Sequence, residues 1–147
     1  MPHLTLQFVQ SRGVIVDVLL GVSSARLNAL TKLHQAVPSP IRARALVDTG
    51  ASGTVIDASC VKALQLSPTG VSNVRTPSTG VNPVQHFSYD VSLVLVSPVL
   101  SRTWFVVPVT ESPSHAVQGF EVLLGRDILG ECLCVYDGRA SVFMLAF

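Results

Sequence analysis

Asp48 stands in an unusual stretch, Ala45-Leu46-Val47-Asp48-Thr49-Gly50-Ala51-Ser52-Gly53-Thr54-Val55-Ile56. An apolar run delivers a single carboxylate into a turn of small residues, and the pair Val55-Ile56 takes the chain back toward a core. Gly50 lets the backbone bend and lets a ligand or a second chain approach closely. The Thr49 hydroxyl can both donate and accept at short range. A carboxylate presented in this way can work as a general acid or a general base. The plainer reading, a turn aspartate in a β-protein, has nothing to say about the apolar flanks.

Other chemistry-bearing residues are scattered. The histidines His3, His34, His86 and His115 lack metal-ligand spacing, so neither a metal nor another cofactor is expected. Cys132 and Cys134 lie two apart and would share one strand face as small apolar fillers. With Cys60 they make an odd number, which argues against a disulfide framework and for a reducing, cytoplasmic setting. The start Met1-Pro2-His3-Leu4-Thr5 has no basic segment followed by an apolar core, so no signal peptide is expected. The apolar stretches Val91 to Leu100 and Trp104 to Val109 are too short and too interrupted for a membrane span. A net charge of +1 without a basic stripe excludes a nucleic-acid binder.

The elements that must position Asp48 read mostly as strands. Strands are expected at Leu4 to Val9, Val14 to Leu20, Ile41 to Val47, Tyr89 to Val96, Trp104 to Val109, Glu121 to Leu124, Cys132 to Tyr136 and Ser141 to Phe147. Asp137-Gly138 signals a tight hairpin between the last two. Ser23 to Ala36 reads as a helix whose stripe Leu27, Leu30, Leu33 and Val37 would pack inward. Asp57 is placed to cap a short helix through Leu64. At 147 residues, 48 % hydrophobic and only 13 % charged, the chain forms one folded domain, and it is poor in charge for a monomer.

The Asp48 stretch resembles the active-site motif of aspartic proteases, in which two apolar residues precede Asp-Thr/Ser-Gly-Ala/Ser. Val122-Leu123-Leu124-Gly125-Arg126-Asp127-Ile128-Leu129 resembles the segment that threads past that loop in retropepsins, the retroviral-type enzymes. The order also fits, and the likeness is to the stand-alone bacterial kind. The resemblance implies a mostly β, single-domain acid-protease fold: a closed β-barrel or sandwich with one or two short helices and a flap hairpin. Residues 1–147 would then be one half-site, with the flap at roughly 70–87 and its turn at Pro77, Ser78, Thr79 and Gly80. Asp48 would be catalytic, Thr49, Gly50, Ala51 and Ser52 would form the active-site loop, and Gly125, Arg126 and Asp127 would support it. Ser52 stands where many viral enzymes carry a second Asp, which leaves Arg126 without that carboxylate partner.

Such chemistry needs two carboxylates facing one water. Asp17, Asp57, Asp90, Asp127 and Asp137 are not followed by Thr-Gly or Ser-Gly, so no second copy of the loop exists in the chain. The resemblance therefore implies a homodimer that hydrolyses polypeptides, each chain supplying Asp48, with Thr49 reaching across the axis. It also implies that the terminal strands pair across that axis, hiding the apolar run Val142 to Phe147, which would be an exposed edge on a lone monomer. The alternative is a catalytically idle, dimeric peptide-binding or structural module on the same fold.

Overall fold

The computed structural model describes residues 1–75, 80–112 and 116–147. Its elements in chain order are β1 (His3–Gln7), β2 (Ile15–Val22), α1 (Ser24–Lys32), β3 (Ile41–Val47), β4 (Val55–Asp57), α2 (Ala58–Ala63), β5 (Gly70–Val74), β6 (Val84–Leu95), β7 (Arg102–Ser112), β8 (Val122–Leu124), α3 (Arg126–Leu129), β9 (Leu133–Asp137) and β10 (Val142–Ala146). A single 3-10 turn at Ala116–Gln118 precedes β8.

Alternation decides which faces turn inward. Val16, Val18 and Leu20 of β2, Ala43 and Ala45 of β3, and Tyr89, Val91, Leu93 and Leu95 of β6 are buried, while Arg42 and Arg44 between them face water. Among the described residues, strands β2, β3, β8, β4, β7 and β6 hydrogen-bond in that order, and a β2–β6 pairing closes the ring into a six-stranded barrel. The fold is therefore the mostly β, single-domain closed barrel that the motifs imply. Most neighbours are antiparallel, but β3 runs parallel to β8, and β4 runs parallel to β7. These parallel contacts bring the Asp48 loop beside the Gly-Arg-Asp segment. Strand β5 extends the sheet beyond β6 as a hairpin.

Several expectations change on folding. The C-terminal run does not form an edge. Strand β10 is the middle strand of a second sheet, paired with β1 on one side and β9 on the other, and Phe143 and Leu145 are buried. The outer strand β9 instead exposes Leu133, Val135 and Tyr136. The Asp137-Gly138 turn is also wider than a two-residue hairpin, because Asp137 pairs with Val142. The Asp137 carboxylate accepts from the Arg139 and Ala140 N–H groups (both 2.9 Å), and the left-handed residue is Ser141.

Helix α1 is shorter than its apolar periodicity suggests and buries none of its residues. Leu33 is 67 % exposed and Leu27 42 %, so the leucine stripe does not pack into the barrel. The helix is held at its N-terminal end: Ser23 caps it, and Arg26 in the first turn donates to the Gln65 carbonyl (2.7 Å) and the Ser67 hydroxyl (3.2 Å). The cap on α2 is as expected, with the Asp57 carboxylate accepting from the Ser59 N–H (2.9 Å).

The cysteines are free, and Cys60 is buried. Burial pushes the Cys60 thiol up to about 11, helped by Asp57 and Glu121. Burial, followed by Cys134, does the same for Cys132, to about 11, and burial also raises Cys134. Because the thiolate is the reactive form, Cys60 and Cys132 should alkylate on the order of 100-fold more slowly than an ordinary thiol at pH 8. Mass spectrometry of iodoacetamide labelling, folded against unfolded, checks this. Labelling of Cys132 in the folded protein at the unfolded rate would contradict it.

Candidate active site

Strand β3 carries Asp48 out of the barrel while its ladder with β8 continues, since the Asp48 N–H donates to the Leu124 carbonyl (3.0 Å). The loop then folds back on its own carboxylate. Asp48 Oδ1 accepts from the N–H groups of Gly50 (2.8 Å) and Ala51 (3.3 Å). Oδ2 has no hydrogen-bond partner among the described residues, and the side chain is only half-buried. One oxygen is thus fixed by the backbone, and the other is left without a described partner on a residue that lines the cleft. Thr49 is exposed, and its hydroxyl has no partner among the described residues.

The Gly125-Arg126-Asp127 segment braces this loop from behind. The Arg126 N–H donates to the Ala51 carbonyl (3.0 Å), and its guanidinium Nη1 donates to the carbonyls of Thr49 (2.8 Å) and Gly50 (3.4 Å). Arg126 therefore holds backbone oxygens where a carboxylate was missing from the sequence. Gly125 has no room for a side chain, because a Cβ there would lie 2.5 Å from the carbonyl carbon and oxygen of Gly53. Asp127 sits in the first turn of α3, and its carboxylate is also a clamp. It accepts from the Thr54 N–H (2.9 Å), the Thr54 hydroxyl (2.8 Å) and the Ile128 N–H (3.0 Å). The Thr54 hydroxyl in turn accepts from the Gly125 N–H (3.2 Å), and Thr54 is buried.

Asp48 opens into a cleft of about 640 Å³. Its floor includes Gly50, Ala51, Ser52 and Gly53, with Val55 and Leu123 alongside. Strand β5 supplies a further wall through Ser72, Asn73 and Val74, and Arg75 directly after it continues that wall. This strand belongs to the expected flap hairpin. It pairs with β6 from Gly70 opposite Ser88 to Val74 opposite Val84, and the Ser72 and Ser88 hydroxyls hydrogen-bond across it. At the foot of the hairpin, buried Tyr89 donates to Glu111 Oε2 (2.9 Å). Gly80 adopts a left-handed φ of +60°, whereas Pro77, Ser78 and Thr79 of the expected flap turn lie outside the described residues.

The structure thus brings Asp48, its loop and the Gly-Arg-Asp segment together. Three parts of the site had no signal of their own. Thr54 reads as one more small polar residue, and its hub role depends on Asp127, 73 positions away. The wall residues Ser72 to Arg75 lie inside the expected flap, roughly 70–87, but ahead of its turn, and none of their side chains carries a motif of its own. Leu123 reads as core and turns out to line the cleft.

A closed six-stranded barrel in which a Gly-Arg-Asp helix braces an Asp-Thr-Gly loop defines a retropepsin-like aspartic protease. Residues 40–131, more than half of the chain, match the family described as "gag-polyprotein putative aspartyl protease", and the chain belongs to that family. The whole fold is similar to the crystal structure of a retropepsin-like aspartic protease from Rickettsia conorii, with a TM-score of 0.62 over 99 % of this chain and 91 % of that one. The two are 13 % identical, so the likeness is one of fold. No curated protein matches the chain. Among the described residues, no helix is long and apolar enough to cross a membrane.

Proposed function

We propose that residues 1–147 form one half-site of an aspartic endopeptidase, active as a homodimer in which each protomer contributes Asp48. The observation that carries this reading is the asymmetry of that carboxylate. The loop backbone holds Oδ1 while Oδ2 is left without a described partner, on a residue that lines the cleft. Two such carboxylates across a two-fold axis share one proton, because like charges so close do not both ionise. The ionised one takes a proton from the attacking water, and the protonated one donates to the scissile carbonyl oxygen. No cofactor takes part, and the β5–β6 flap covers an extended polypeptide substrate and excludes water. The three free thiols suit a reducing compartment, which supports a cytoplasmic location.

The test is a peptide-library digest across acidic pH, comparing the parent with Asp48→Asn. Cleavage that depends on Asp48 supports the endopeptidase. Peptide binding without cleavage by the parent would support the idle binding module instead.

Thr49 tests the assembly. In the proposed dimer its free hydroxyl pairs across the axis, and removing it leaves a partner unsatisfied at a cost of about 1–3 kcal/mol. Thr49→Val should weaken the dimer roughly five- to 150-fold, whereas Thr49→Ser should keep it near the parent. Sedimentation equilibrium reads both constants. Equal values for the two variants would refute the contact.

A further inference from the structure

Arg75 follows β5 directly and lines the cleft that holds Asp48. Among the described residues these two are the charged ones on its lining, the others being Gly, Ala, Ser, Asn, Val, Thr and Leu. The two are not ion-paired to each other. Among the described residues the ion pairs are Arg44–Glu121 and Arg102–Glu131, far from this wall in sequence. No acidic residue occurs anywhere from Ala58 to Tyr89, so the flap unit and the helix before it hold no carboxylate to neutralise Arg75. Arg75 is exposed in the free protein, and the opposing charge on the described lining is Asp48. As substrate fills the cleft the hydration of the guanidinium is reduced, so it favours a carboxylate more than one in open water does. Beside it, Val55, Val74 and Leu123 offer apolar surface for an uncharged side chain.

We infer that Arg75 is a specificity-determining residue, selecting polypeptides that carry an acidic side chain close to an apolar residue at the cleavage site. This rests on the endopeptidase reading and adds to it the class of substrate. Recognition requires the substrate carboxylate to be ionised. A Glu-containing peptide should therefore gain on its Gln analogue as pH rises through the ordinary glutamate range near 4.3. The titratable and charged groups around Arg75 are Asp48 across the cleft and His86 on β6, which lies opposite Ser72. Their charges act on the Glu peptide and not on its Gln analogue, so Arg75→Gln, which leaves both in place, is the comparison that isolates Arg75.

The experiment takes the position at which the parent's library digest enriches Asp or Glu, and compares matched Glu and Gln peptides in kcat/KM. For the parent we expect a Glu-to-Gln ratio of about tenfold at pH 5.5, falling to about twofold at pH 3.5, where a small share of the glutamate is still ionised. Arg75→Gln should flatten the ratio to about 1 at both pH values. Arg75→Lys should keep part of it, because the charge remains but the planar two-pronged donor is lost. Arg75→Glu should turn the preference toward Lys. If the parent cleaves through Asp48 but enriches no acidic residue, or if the ratio survives Arg75→Gln, the inference fails while the endopeptidase stands. If the parent cleaves nothing, both fall.

Discussion

Asp48→Asn should lower kcat/KM by about 10²–10⁴-fold, the range that a positioned acid or base contributes. The backbone contacts explain why fold and dimer should survive the change. The Gly50 and Ala51 N–H groups donate to Oδ1, and the carbonyl oxygen of an asparagine accepts both in the same way. What disappears is the second, ionisable oxygen, and with it the shared proton. The two-fold arrangement has a further consequence. When equal amounts of parent and Asp48→Asn chains exchange freely, about a quarter of the dimers retain both carboxylates, so specific activity should fall to about one quarter of the parent's. A dilution effect alone would leave half. Titrating the variant into the parent at fixed total protein, in weak acid where the shared proton is retained, distinguishes these outcomes. A fall to one half would mean that each chain works alone.

Asp127→Ala should destabilise the fold by about 2–3 kcal/mol, although residue 127 is itself exposed. Its carboxylate binds the N–H and the hydroxyl of Thr54, which is buried between the active-site loop and β4. Truncation leaves that N–H and hydroxyl without their acceptor, in contacts that are part-buried. Hydrogen bonds to a charged acceptor are the stronger kind, and the cost of an orphaned buried donor adds to their loss. Asp127→Asn should fall between parent and Ala, because one oxygen still accepts while the new amide faces a donor. Urea unfolding at constant m-value reads the order. A double-mutant cycle with Thr54→Val should show clear coupling, since the two side chains are in contact. An unchanged midpoint for Asp127→Ala would mean that the clamp carries no stability. In the proposed enzyme, activity should fall more than stability, because Thr54 closes the loop that begins at Asp48.

Much of the site was legible because its chemistry is local. A strand at Ile41–Val47, a carboxylate at its end and glycines at Gly50 and Gly53 are written in one short stretch, and alternation alone puts Ala43 and Ala45 inside. The need for glycine at Gly125 was visible as a motif, but its reason was not: the contact is with the Gly53 backbone, 72 positions earlier. The leucine stripe of α1 misled for a related cause. Periodicity reports which side chains share a face, and says nothing about whether another surface lies opposite. Here none covers Leu27 or Leu33.

From its residues alone, then, the chain declared a β-rich domain with one Asp-Thr-Gly loop and a supporting Gly-Arg-Asp turn, because these depend on side-chain type and short spacing. Only the tertiary structure decided that β10 is a central strand, that Arg126 binds backbone carbonyls, that Asp127 clamps Thr54, and that Arg75 shares a cleft with Asp48. Each of these joins residues far apart in the chain. Their distances are set by how the barrel closes through β2 and β6, and the closure depends on the strands together rather than on any single stretch.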